Sequence, residues 1–119
     1  VAEKQELIFL KKLLGVTKGK TILDLGCGTG KFGLKLASEA KKVVGIDISK
    51  ASVAIANRTA KRYKIKNFEG VVGDFKNQGY KNYFDIVLAV NLIHHADDLE
   101  IILKHVGKAL KKNGRLVIF

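Results

Sequence analysis

The sequence predicts an α/β domain built on a parallel sheet with helices on both faces. Three observations carry that expectation. Short apolar runs alternate with amphipathic, helix-length segments along the chain. The run at residues 84–90 is apolar almost throughout, the pattern of a strand buried on both faces. Hydrophobic residues make up 47% of 119 residues, which fits one packed core over residues 1–119 and argues against disorder.

The elements follow in order. Residues 3–14 set Leu7, Ile8, Leu10, Leu13 and Leu14 near helical spacing, and Gly15 ends that helix. Residues 21–25 are strand one. Residues 31–40 read as a helix that offers Phe32, Leu34, Leu36, Ala37 and Ala40 for burial. Residues 43–46 are strand two. Ser49 has the chemistry of an N-cap for a helix over 51–63, and residues 68–72 are strand three. Residues 74–82 form a polar, glycine-containing loop before strand four at 84–90. A helix over 97–112 carries Leu99, Ile102, Leu103, Val106 and Leu110 on one side. Asn113 and Gly114 end it, and residues 115–119 are strand five. In such sheets ligands sit beyond the carboxyl ends of the strands.

Composition narrows the function classes. No apolar run approaches the roughly 20 residues of a membrane span. The acids among the first twelve residues do not suit a signal peptide. The single cysteine, Cys27, has no internal disulfide partner, which points to a reduced, cytoplasmic setting. The net charge of +11 is nearly all lysine. Scattered along the chain rather than blocked, the lysines read first as a solvated surface. RNA or another polyanion is the partner such a charge admits.

The residues that follow each strand are candidates for function. After strand one, Gly26, Cys27, Gly28, Thr29 and Gly30 permit a tight turn and close backbone approach, with the next helix aiming its free amides at the same place. After strand two, Asp47 stands 21 residues beyond Gly26, an offset at which an acid takes ribose hydroxyls; the alternative is an acid that starts a helix beside Ser49. Ile48 next to it suits the face of an adenine. After strand three come Gly73, Asp74 and Phe75. The carboxylate suits an exocyclic amine, the Phe75 side chain an apolar contact, and its amide a ring nitrogen; Asp74 also suits a plain loop. After strand four come Asn91, Leu92, Ile93, His94 and His95, an uncharged turn with two imidazoles.

In this order, these segments resemble the class I S-adenosylmethionine-dependent methyltransferases. Residues 22–30 (ILDLGCGTG) resemble their first motif, 44–47 (VGID) their ribose-binding motif and 73–75 (GDF) their adenine-contacting segment. Residues 84–95 resemble the fourth strand and its exit, and 110–118 the fifth strand with its preceding turn. The likeness spans about residues 20–119. It implies a three-layer Rossmann-like fold of five parallel strands in the order 3-2-1-4-5. It also implies a cofactor, S-adenosyl-L-methionine, with S-adenosyl-L-homocysteine as the product. By the resemblance, Asp24 and the backbone around Gly26, Cys27, Gly28 and Gly30 hold the methionine part. Asp47 binds the ribose, Ile48 flanks the adenine, Asp74 takes the adenine amine with Phe75 beside the ring, and the Asn91 backbone faces the methionine amino group. The resemblance implies no metal. His94 or His95 is the weak candidate for a catalytic base, each with packing as its alternative role. The exit after strand four resembles enzymes acting on small molecules, so a small-molecule acceptor is expected, with RNA as the alternative.

Two further readings stay open. Gly28, Gly30 and Gly33 satisfy G-x-G-x-x-G, as in dinucleotide oxidoreductases, although Asp24 stands where such sites usually have an apolar residue. The other is a non-catalytic cofactor-binding fragment or subunit. The family's sheet has seven strands, and this chain stops at Phe119 at the end of strand five. Residues 116–119 are therefore expected to form an apolar edge able to self-associate.

Overall fold

The computed structural model describes residues 2–90 and 96–119. Five parallel strands form one sheet: β1 (Thr21–Leu25), β2 (Lys42–Asp47), β3 (Phe68–Val72), β4 (Phe84–Ala89) and β5 (Leu110–Ile118), in the order β3-β2-β1-β4-β5. The connections are α1 (Ala2–Leu14) leading into β1, α2 (Gly33–Leu36), α3 (Lys50–Arg62), and α4 (Ala96–Ala109). The fold class, strand order and direction are those expected.

Alternate residues of the central strands face opposite ways, and each face acquires its own core. Ile22, Val43, Ile86 and Leu88 pack with Leu10 and Leu14 of α1, Leu36 of α2 and Ala56 of α3. Leu23, Val44 and Val87 pack on the other face with Val106 and Ala109 of α4 and with Phe75. Each fully buried Leu or Val contributes about 1.5–3 kcal/mol, so these central strands hold the layers together.

Helix ends are capped by identifiable groups. The Ser49 side chain accepts from the Ser52 amide, as expected of an N-cap. Gly15 adopts φ 68° and its amide donates to the Lys11 carbonyl at 3.0 Å, closing α1. The guanidinium of Arg115 in β5 donates to the carbonyls of Leu13 and Leu14 at the same end. At the sheet edge, the Asn57 side chain pairs with both backbone groups of Gly70, at 2.9 and 3.1 Å, which satisfies an otherwise open part of β3.

Three boundaries differ by more than two residues from expectation: the end of α2, the end of α4 and the start of β5, which is Leu110 rather than residue 115. The helix read over 31–40 is α-helical only at Gly33–Leu36; beyond it, the Ser38 and Glu39 amides bond three residues back, and Ala40 bonds four back. The helix read as ending at Lys112 ends at Ala109 instead. The chain entering β4 fixes that end: the Asn82 and Tyr83 amides donate to the Lys108 and Ala109 carbonyls at 2.9 and 2.8 Å. Leu110 then pairs with Phe84 and Arg115 with Ile86, so Asn113 and Gly114 lie in an outward excursion within β5 rather than at a helix end.

Candidate functional site

β1 has β2 on one side and β4 on the other, while the chain reaches them by connections on opposite faces. Beyond the carboxyl end of such a strand the two loops diverge and leave a crevice. The turn after β1 lies there. Gly26, Gly28 and Gly30 have φ of 76°, 54° and 88°, a region that costs other residues roughly 1–2 kcal/mol. A Cβ at Gly26 or Gly28 would meet nothing within 4 Å, so their bare backbone borders open space. Gly30 differs: a Cβ there would come within 2.8 Å of Leu34, so it is glycine for close packing as well.

The turn is stapled to the end of β2. The Gly26 and Cys27 amides donate to the Ile46 carbonyl at 2.8 and 3.0 Å, and the Gly28 amide donates to Asp47 Oδ2 at 2.8 Å. Asp47 Oδ1 accepts from the Ser49 amide at 2.9 Å. Each carboxylate oxygen thus holds one backbone amide and keeps capacity for a second donor. Loop after β1, loop after β2 and the start of α3 are registered through one side chain. Ile48 beside it is 78% exposed, a large apolar side chain left in solvent at the crevice.

Beneath the turn lies a buried acid. Asp24 is 2% exposed, and a Cβ on Gly33 would approach its Oδ2 to 2.9 Å. Burial pushes the Asp24 carboxyl up to about 7; a hydrogen bond from the Gly33 backbone opposes this, and the Asp47 charge adds to it. Burial likewise pushes the Cys27 thiol up to about 12, with the Asp24 and Asp47 charges acting in the same direction. Cys27 is therefore a neutral thiol, buried over Gly45, where a Cβ would come within 2.8 Å of its sulfur. It shapes the turn rather than reacting.

The loop after β3 joins the same end through the Gly73 amide, which donates to the Asp47 carbonyl at 2.9 Å. Asp74 caps a short 3₁₀ turn (Phe75–Asn77): its Oδ1 accepts from the Lys76 amide at 2.9 Å, and its Oδ2 stands 3.7 Å from Lys76 Nζ. The Phe75 ring is buried in the core at 6.5 Å from the His105 ring. Asn91, His94 and His95 lie outside the described residues. In sequence Gly33 is only the third glycine of a G-x-G-x-x-G spacing; its role beside Asp24 emerges when strand and helix are packed.

A glycine turn open to solvent, clasped by an acid at the end of the next strand, defines a crevice for a nucleotide-type cofactor in a doubly wound fold. The chain belongs to the methyltransferase domain family, whose model matches residues 16–119, and it is a class I S-adenosylmethionine-dependent methyltransferase domain. It is 34% identical over 101 residues to the ubiquinone biosynthesis O-methyltransferase of Pelagibacter ubique, covering 85% of this chain and 42% of that protein. It is 34% identical over 107 residues to the demethylmenaquinone methyltransferase of Tropheryma whipplei, covering 90% and 44%. Among solved structures it is similar to phosphoethanolamine N-methyltransferase 2 of Haemonchus contortus in complex with phosphomonomethylethanolamine and S-adenosylhomocysteine. That match has a TM-score of 0.86 and 29% identity, over 97% of this chain and 27% of that one. The chain thus spans less than half the length of the curated relatives it matches. This membership replaces the oxidoreductase alternative.

Proposed function

We propose that this chain binds S-adenosyl-L-methionine in the crevice above β1 and forms the cofactor half of an enzyme that methylates a small molecule. The observation that carries the reading is the clasp of the Gly28 amide on Asp47, beside the open backbone of Gly26 and Gly28. A cradle that a Cβ would fill suits a ligand that approaches the main chain closely. Asp47 takes the ribose hydroxyls on the lone pairs its two amides leave free. Ile48 covers one face of the adenine, and Asp74 with the Phe75 amide meets its polar edge. The methionine part lies along Gly26, Cys27, Gly28 and Gly30, with the Asn91 backbone at its amino group. Asp24 acts from beneath the turn, its charge favouring the cationic groups of the ligand.

The bound cofactor supplies an activated methyl group. The protein then has to hold the acceptor in line and exclude water. We assign His94 or His95 to removal of a proton from an acceptor that carries one. The two relatives named for ubiquinone biosynthesis and for demethylmenaquinone support a small-molecule acceptor. No helix among the described residues is long and apolar enough to cross a membrane, and the lone Cys27 thiol supports a cytoplasmic setting. β5 is an edge strand with Ile118 56% exposed, and we expect this chain to self-associate there, which native mass determination checks. Titration with S-adenosyl-L-homocysteine tests the cofactor reading. The expected result is saturable heat and a rise in melting temperature; neither at millimolar ligand overturns it.

A further inference from the structure

The three-dimensional fold gathers a charge that the linear sequence disperses. In a parallel sheet with returning helices, the residues before each strand and those at each helix C-terminus meet at one end, opposite the cofactor crevice. Lys18 and Lys20 precede β1, Lys41 and Lys42 begin the approach to β2 and its first residue, and Lys64 and Lys66 precede β3. Lys81 precedes β4, and Lys111, Lys112 and Arg115 lie at the irregular start of β5. The last turns of the helices add Lys11, Lys12, Lys61, Arg62 and Lys108.

Fifteen of the 22 basic residues therefore sit at this end, against three acids, Glu39, Glu69 and Asp85. Each of those acids pairs with a lysine already counted, at 3.8, 3.4 and 3.4 Å. The remaining seven basic residues share the rest of the chain with eight acids. Helix C-termini favour cations, which accounts for the five on the helices. Arg115 answers to the same cause, since it donates to the last carbonyls of α1, but the nine lysines along the approaches to the strands do not. Lys20, Lys111, Lys112 and Arg115 border an open groove of about 560 Å³ at this end.

Aromatic rings accompany the charge. All three tyrosines of the chain, Tyr63, Tyr80 and Tyr83, are here. Tyr63 is 65% exposed with the Arg62 guanidinium 5.7 Å from its ring centre, and the Lys42 ammonium is 5.8 Å from the ring of Tyr83. Exposed rings set among cations suit unpaired bases, which stack while phosphates meet lysine.

We propose that the amino end of the sheet binds single-stranded nucleic acid, phosphates on the lysine field and bases on Tyr63 and Tyr83, at a surface separate from the cofactor crevice. The proposal stands independently of the cofactor reading, since binding here requires no S-adenosyl-L-methionine. Fluorescence anisotropy with a labelled oligouridine tests it, using variants whose melting temperature is unchanged. Affinity is expected to fall steeply as salt rises. Joint replacement Lys20→Gln, Lys64→Gln and Lys112→Gln is expected to weaken binding about tenfold or more, and the matched set Lys4→Gln, Lys35→Gln and Arg58→Gln by less than about twofold. Tyr63→Ala is expected to weaken it by about fivefold or more. No binding at low salt, affinity indifferent to salt, equal losses for the two triple variants, or an unaffected Tyr63→Ala variant would each overturn the proposal. So would anionic phospholipid vesicles that bind the chain and displace the RNA, which would assign the surface to a membrane.

Discussion

At the carboxyl ends of the strands the loops are made of glycine and acid; at the amino ends they are made of lysine. The two ends belong to one sheet and share its core, yet they answer to different physics. The carboxyl end is a matter of geometry. Gly26, Gly28 and Gly30 take backbone angles that side chains resist, and Asp47 locks two loops and a helix start through two hydrogen bonds. The amino end is a matter of field. Its lysines are mostly exposed, few have acidic partners, and their position follows from topology rather than local conformation. Conservative changes are therefore expected to be felt singly at one end and only in number at the other.

The largest expected effect sits at the carboxyl end. Asp24 titrates near 7 in the folded chain and at an ordinary carboxylate value when unfolded, so the folded state holds the extra proton between those limits. Its stabilising contribution is complete below about pH 4, drains as pH rises through about 7, and is constant beyond. By the value of one pKa unit the span is at most about 4 kcal/mol. Asp24→Asn should flatten that stretch of the stability profile in urea melts from pH 4 to 8. An unchanged slope would mean that the buried carboxyl is not the source.

The next effect separates binding from folding. Asp47→Ala is expected to weaken S-adenosyl-L-homocysteine binding by about 1–3 kcal/mol, the worth of hydrogen bonds to a charged group. Calorimetry reads this directly, and full affinity in the variant would remove Asp47 from the ribose. The smallest effect sharpens the contrast from the other side. Replacing Lys20, Lys64 and Lys112 together by Gln should change unfolding free energy by about 0.5 kcal/mol or less, or raise it by relieving repulsion. A large loss in denaturant melts would show that the basic end stabilises the fold.

The same contrast marks what the sequence discloses. The cores of β1, β2 and β4 are legible because residues such as Ile22, Leu23, Val43, Val44, Ile86 and Val87 are apolar on both faces, and Ser49 announces its helix by local capping chemistry. Gly26 and Gly28 are legible because few residues tolerate their angles. The end of α4 is not, because amides of Asn82 and Tyr83, distant in sequence, fix it. The Phe75 ring is not, because a polar loop gives no sign that one of its members turns into the core. The basic end is least legible of all: its cations come singly and in pairs from Lys11 to Arg115, and look dispersed until the sheet aligns its strands.

Arg115 ties the end of α1 to β5 across 102 residues of sequence to Leu13 and 101 to Leu14. On a ribosome that separation becomes time. The carbonyls that close α1 meet their guanidinium partner only after all five strands have been made, so α1 is expected to seat late among these elements. Until then Leu10 and Leu14, which fill one face of the sheet, have no fixed place. Such long-range closure slows folding and leaves α1 exposed to chaperones until β5 is in place.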